Sequence, residues 1–391
     1  MRVLMTGGGT GGHVNPAIAI ADLLKKHIPG SEIAFVGTER GIESSLVPKS
    51  GYPIHYVTVA GFSRKRLVSL TNLKAAYRAF TSPYEAKRIV KEFRPDLVIG
   101  TGGYVSWPLI VAASRMGIPT IVHESNATPG LTVKRLQKFA DEILVNFAET
   151  AEELTEAKRV VRVGNPLRGD FGTLSREEAR RALGLTDQDT FILSYGGSMG
   201  AEKVNEAMIA VMRDYVKKNP GVRCLHATGK IEYEAAMQAA TEAGLIGNDR
   251  IAVQEYIYDM PLRMAAADIV VCRAGAMTLT ELAVMRKTAV LIPSPNVTNN
   301  HQYKNAEVLR RAGAAVLIEE KDLTDESIVS EIRSLVESPE RRKALESRIG
   351  AFADADTEKR ILSEILALSD EKRLKLSDAD RTALCGAVAI K

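Results

Sequence analysis

The chain has little cysteine: only Cys224, Cys272 and Cys385 among 391 residues. An odd count without paired spacing excludes a disulfide framework and a thiolate zinc site, and favours a reducing compartment. Clusters of metal-ligand type are absent as well, so no metal is expected. Nor is there an apolar run suited to a membrane span. The longest uncharged stretch, Leu97 to Ser114, is interrupted by Gly100, Gly102, Gly103 and Pro108 and reads as strand, loop and helix. The first residues pass straight into a strand-like run, which leaves no room for a signal peptide and predicts a cytoplasmic protein. A net charge of +4 is too small to imply nucleic acid, and none is expected as a partner.

What the chain does have is alternation. Short β-rich runs at Val3–Met5, Ile33–Val36, Ile54–Val59, Leu97–Ile99, Thr120–His123, Ile143–Val145 and Val160–Val163 are separated by helical patterns such as Ala17–His27 and Pro83–Phe93. Strand and helix in alternation imply a parallel sheet covered on both faces, an α/β fold. The polar stretch "VGNPLRGDFG" (163–172) interrupts the pattern, which restarts at Phe191–Tyr195, Arg223–Ala227, Ile251–Gln254, Ile269–Cys272, Ala289–Ile292 and Ala315–Ile318. The expected organisation is an N-terminal domain over 1–164 and a C-terminal domain over 165–340. A helical segment, 341–368, follows, and 369–391 reads as an appended tail.

Both halves open on a strand that runs through glycines into a helix. "TGGGTGGH" (6–13) carries five glycines in eight residues, and "YGGSMGA" (195–201) is its counterpart. A third loop, "GTGGY" (100–104), follows another strand. Parallel sheets bind ligands beyond the carboxyl ends of their strands, where amides and helix N-termini favour anions. Gly7, Gly9 and Gly12 fit a dinucleotide fingerprint, a weak signal alone, and no Gly-Lys-Ser/Thr follows to make a P-loop. Tight strand-to-helix turns would also account for these glycines. His13 closes the first loop, and a neutral imidazole there suits deprotonation of a hydroxyl nucleophile.

Seven motifs in order then carry a resemblance: "GGTGGH" (8–13), "GTGGY" (100–104), "HESN" (123–126), "GNPLR" (164–168), "GGSMGA" (196–201), "CRAGAMTLTELA" (272–283) and "HQYKNA" (301–306). From residue 1 to about 368 the sequence resembles the MurG family of glycosyltransferases. The resemblance implies the GT-B architecture, two Rossmann-like parallel-sheet domains facing across a cleft, with the 341–368 segment crossing back to the first. It implies metal-independent, inverting transfer of N-acetylglucosamine from UDP-GlcNAc to the 4-hydroxyl of MurNAc in lipid I, giving lipid II. The implied location is peripheral, on the cytoplasmic face of the cell membrane.

Carried over residue by residue, the resemblance makes His13 the catalytic base. Donor contacts fall on Gly9, Thr10, Gly11, Asn126, Arg168, Ser198, Ile257, Ala276, Met277, Thr278, Glu281 and Gln302. Of these, Glu281 would accept from the ribose diol, Ile257 would meet uracil through its backbone, and Gln302, supported by Asn305, would read sugar hydroxyls. Arg168 would stand near the donor as a cation. Acceptor contacts fall on Gly12, Gly102, Gly103 and Tyr104. Ser125, His301, Met277 and Trp107 depart from the commonest family pattern.

One further stretch, 61–95, carries nine Lys or Arg against two Glu. Leu67, Leu70, Leu73, Tyr77 and Phe80 recur at helical spacing, with Arg66, Lys74 and Arg78 beside them. Such a helix suits an anionic membrane surface, although the same stripe would also serve as core under a solvated face. The rival readings of the whole chain are another GT-B glycolipid transferase using a UDP-sugar, a UDP-GlcNAc 2-epimerase, and a nucleotide-binding module without catalysis. For the last, His13 and Gln302 would be unnecessary.

Overall fold

A computed structural model describes residues 1–59, 70–169, 171–197, 199–370 and 374–389, with backbone alone for 70–80 and 298. The chain divides into two compact units, Met1–Arg168 with Asp354–Lys391, and Gly169–Ala353. The return to the first unit therefore comes at Asp354 rather than at 341. The helix Pro339–Gly350 stays with the second unit, and the helix Thr357–Asp370 belongs to the first.

The first unit holds seven parallel strands: β1 (Arg2–Thr6), β2 (Glu32–Gly37), β3 (Ile54–Tyr56), β4 (Leu97–Gly100), β5 (Thr120–Glu124), β6 (Glu142–Val145) and β7 (Val160–Arg162). Their order is β3-β2-β1-β4-β5-β6-β7. The apolar runs of the inner strands are buried because helices cover both faces of the sheet, while the edge strands β3 and β7 are half-buried to exposed. On one face Val3, Met5, Ile33, Phe35, Leu97 and Ile99 pack with the Gly11–His27 helix and with Ile361, Leu362, Ile365 and Leu368. On the other face Leu4, Val36, Val98 and Val122 meet Ile89, Val90 and the Ser106–Arg115 helix.

The tail is not an appendage. A helix, Asp378–Ala389, lies against the Thr357–Asp370 helix, and Leu374 and Leu384 enter the same core as β1. The N-terminal ammonium donates to Asp380 Oδ2 at 3.0 Å, which ties the two ends of the chain together.

The second unit holds six parallel strands: β8 (Thr190–Tyr195), β9 (Val222–Ala227), β10 (Ile251–Gln254), β11 (Ile269–Cys272), β12 (Thr288–Leu291) and β13 (Val316–Leu317). Their order, β10-β9-β8-β11-β12-β13, repeats the first unit's logic. In each unit the winding reverses beside the first strand, between β1 and β4 and between β8 and β11. Loops leaving such neighbours diverge to opposite faces and open the crevice where doubly wound sheets bind ligands. All three glycine loops therefore sit at a switch point.

Candidate functional site

At the first switch point the loops after β1 and β4 are packed so closely that glycine is obligatory. A Cβ on Gly7 would lie 2.1 Å from Thr101 Oγ1, and one on Gly103 would lie 2.2 Å from the Gly8 carbonyl oxygen. Gly102, at φ +96°, would place a Cβ 2.9 Å from His13 Cδ2. Thr101 locks the pair, its hydroxyl donating to the His13 carbonyl at 2.6 Å. Gly11 and Gly12 are different. Nothing lies within 3.7 Å of a Cβ on either, so the fold does not require glycine there. They open the helix Gly11–His27, whose first turn has no acidic residue and whose first amides lack intrahelical acceptors. The glycines at 7, 8, 102 and 103 serve packing; those at 11 and 12 leave space for a ligand.

His13 is partly buried in that first turn. Its Nδ1 lies 3.1 Å from the Gly8 carbonyl oxygen and 3.1 Å from Thr10 Oγ1. A carbonyl only accepts, so Nδ1 is the donor in this contact, and in the neutral imidazole the lone pair then falls to Nε2. Gly102 faces that same edge of the ring, with a built Cβ 3.2 Å from Nε2. The exposed Tyr104 ring lies over Gly9. The Gly9 N–H donates to Glu43 at 3.1 Å.

Other residues of the first unit are held in place by polar contacts. Asn126 donates from its backbone and side-chain nitrogens to Glu124 Oε1, at 3.0 and 2.9 Å, and remains partly exposed. His123 is fully buried against the Gly164 carbonyl at 2.8 Å, and burial pushes its imidazole towards the neutral form. Arg168 Nε pairs with Asp22 at 3.1 Å, and Asp22 also receives the Tyr52 hydroxyl at 2.7 Å. Trp107 packs edge-on against Phe139 with ring centroids 5.6 Å apart. Of the basic stretch, residues 60–69 lie outside the described residues, as do the side chains of 70–80.

In the second unit β11 delivers the chain through Gly275 into the helix Ala276–Val284. The amides of Ala276, Met277 and Thr278 form its first turn, which carries no acidic residue, an arrangement suited to a diphosphate. Asn305, fully buried, donates to the Ala274 carbonyl at 3.4 Å and braces the approach to this turn. Gln302 Oε1 accepts the Ser294 N–H at 2.8 Å, which orients the amide with its NH2 as the donor end. Ile257 turns a buried side chain into the core, between exposed Tyr256 and Tyr258, leaving only its backbone for a ligand.

Glu281 is partly buried further along the Ala276–Val284 helix, near Tyr195 and Cys272. Removal from water pushes its carboxyl up to about 8. The loop after β8 rests on β9: a Cβ on Gly200 would meet the Thr228 carbonyl at 2.5 Å. Beneath it runs a buried chain in which Ser194 Oγ meets His226 Nδ1 at 2.6 Å and His226 Nε2 meets Asn205 Oδ1 at 3.0 Å. Ser198 lies outside the described residues.

Sequence reasoning missed Glu43, Thr101, Glu124 and the Ser194–His226–Asn205 chain. Thr101 and Glu124 lie within "GTGGY" and "HESN", and the acid of "GTERGIE" (37–43) follows two glycines that clear its volume.

Two doubly wound units, one presenting a histidine beside glycine loops and the other a bare helix start with a half-buried carboxyl further along it, suit a nucleotide-sugar glycosyltransferase. Comparison with known proteins makes this specific: the chain belongs to glycosyltransferase family 28. Residues 3–145 match the glycosyltransferase family 28 N-terminal domain and residues 191–361 its C-terminal domain. A protein of Acetivibrio thermocellus named UDP-N-acetylglucosamine--N-acetylmuramyl-(pentapeptide) pyrophosphoryl-undecaprenol N-acetylglucosamine transferase is 44% identical over 336 residues, covering 86% of this chain and 89% of its own. A Desulforamulus reducens protein of the same name is 42% identical over 347 residues, covering 88% and 92%. Among solved structures, Acinetobacter baumannii MurG aligns with a TM-score of 0.74 at 26% identity, over 94% of this chain and 99% of that one. A putative UDP-N-acetylglucosamine 2-epimerase from Listeria monocytogenes, 15% identical with a TM-score of 0.68, shares the fold alone.

Proposed function

We infer that this chain transfers N-acetylglucosamine from UDP-GlcNAc to the MurNAc 4-hydroxyl of lipid I, the reaction for which its relatives are named. The observation that carries the mechanism is the contact of His13 Nδ1 with the Gly8 carbonyl, which in the neutral ring leaves Nε2 as the proton acceptor beside the first glycine loop.

The second unit takes the donor. Amides of Ala276, Met277 and Thr278 receive the diphosphate, Glu281 accepts from the ribose diol, the Ile257 backbone meets uracil, and the Gln302 NH2 donates to a sugar hydroxyl. The first unit takes the acceptor at Gly12, Gly102, Gly103 and Tyr104, with Thr10, Gly11 and Asn126 contributing to the donor sugar. The 4-hydroxyl oxygen bonds to C1 of the donor sugar as the bond from C1 to the phosphate oxygen breaks, inverting C1. The leaving electron pair goes to UDP and the hydroxyl proton to His13 Nε2.

Negative charge growing on UDP is met by the helix start, which supports catalysis without a metal. Arg168, whose Nε pairs with Asp22, adds a cation near the donor. Among the described residues no helix is long and apolar enough to cross a membrane. The lipid-linked acceptor supports a peripheral station at the cytoplasmic face. The direct test is incubation with UDP-GlcNAc and a lipid I analogue, measuring UDP and disaccharide separately. Stoichiometric formation of both is expected; UDP without disaccharide, or epimerised sugar, would overturn the assignment.

A further inference from the structure

The reaction as described leaves Glu43 idle, although it is one of the best-enclosed acids in the first unit. The residue is 1% exposed. Its Oε1 accepts the Thr38 N–H at 3.0 Å and the Thr38 hydroxyl at 2.7 Å, and its Oε2 accepts the Gly9 N–H at 3.1 Å. Three glycines make room for it: a Cβ would lie 2.7 Å from its Cδ at Gly8, 2.7 Å from its Cγ at Gly37 and 2.1 Å from its Oε1 at Gly41. Enclosing a carboxylate is costly unless its oxygens are hydrogen-bonded, and an apolar side chain would fill the same volume without that cost.

The Gly9 N–H and the Gly8 carbonyl are opposite ends of one peptide group. At one end the N–H donates to Glu43 Oε2; at the other the oxygen accepts from His13 Nδ1 at 3.1 Å. In a trans peptide the two groups point in opposite directions, so both hydrogen bonds polarise the same π system in the same sense. Charge on Glu43 draws the N–H, enriches the carbonyl oxygen and strengthens its hold on the imidazole N–H. We propose that Glu43 is a positioning residue for the transfer reaction, acting on His13 through the Gly8–Gly9 peptide to hold Nδ1 protonated and Nε2 ready for the acceptor proton. Glu43 itself exchanges no proton with the substrates. The inference rests on the reading of His13 as the base, and its test separates the two.

The 15N chemical shifts of the His13 ring report the tautomer without turnover. Wild type should show a protonated Nδ1 and a pyridine-like Nε2, and Glu43→Gln should average the two nitrogens. In steady-state assays Glu43→Gln should lower kcat roughly 5- to 20-fold, the effect of weakening one charged hydrogen bond, with donor KM within about twofold. In a His13→Ala background the same substitution should cost less than about twofold, because its effect passes through the missing imidazole. An Nε2-protonated ring in wild type overturns the relay without any variant, which covers the case of a misfolded Glu43→Gln. So does an equal loss of kcat in both backgrounds. Undiminished kcat in His13→Ala removes the base itself, an outcome distinct from an unchanged tautomer in Glu43→Gln.

Discussion

Replacing Glu281 by glutamine separates what this side chain costs the fold from what it does for the donor. Its carboxyl is held at about 8 by burial, against an ordinary 4.5. At pH 7 it is ionised in the unfolded chain and neutral in the folded one, so folding takes up a proton. Stability therefore falls as pH rises from about 4.5 to about 8 and is level above that. At roughly 1.36 kcal/mol per pH unit the ceiling is about 5 kcal/mol. Water reaching the partly exposed side chain reduces this to an expected 1–2 kcal/mol, roughly. Glutamine titrates nothing, so its advantage should be near zero at pH 4.5 and full at pH 8. For a unit of this size that is about 2–8 °C in Tm.

Calorimetry of both proteins between pH 5 and 8.5 reads the difference, and titration with UDP reads the donor. The ionised carboxylate accepts from both ribose hydroxyls and more strongly than the neutral acid, so wild-type affinity should rise with pH up to about 8. Glu281→Gln should bind roughly 10-fold more weakly near pH 8 and without that slope. A variant less stable than wild type at pH 8, or a Tm difference independent of pH, would refute the reasoning.

Three further outcomes follow from the packing. Gly103→Ala puts a methyl 2.2 Å from the Gly8 carbonyl at φ +77° and should cost at least ~2 kcal/mol of stability, whereas Gly12→Ala should keep wild-type Tm and raise acceptor KM. Deleting residues 374–391 removes buried Leu374 and Leu384 and should destabilise the first unit by about 3–6 kcal/mol, read by denaturant titration. Charge reversal at Arg64, Lys65 and Arg66 should release the protein from anionic vesicles and slow reaction with membrane-embedded acceptor. Activity on a short-chain soluble acceptor should stay near normal.

The strands were legible because parallel sheets bury both faces and leave short apolar runs; Val3–Met5, Ile269–Cys272 and Ile251–Gln254 lie where the β-rich stretches put them. Pattern is blind to partners distant in sequence. Nothing local marks Arg168 as the partner of Asp22, 146 residues earlier. The tail has few large apolar residues, and only contact with β1's core shows that Leu374 and Leu384 are buried. Glycine spacing announced a ligand loop without dividing it; the neighbours of each missing Cβ separate Gly7 and Gly8 from Gly11 and Gly12. Glu43 escaped because its role depends on which peptide its oxygen faces, a relation no motif encodes.

The measurement closest to the central claim compares turnover and donor binding in His13→Ala, using UDP-GlcNAc and a lipid I analogue. Loss of a positioned base should lower kcat by roughly 10² to 10⁴-fold while UDP-GlcNAc affinity stays within about twofold. A folded variant with wild-type kcat, or one whose only defect is donor affinity, would contradict the account.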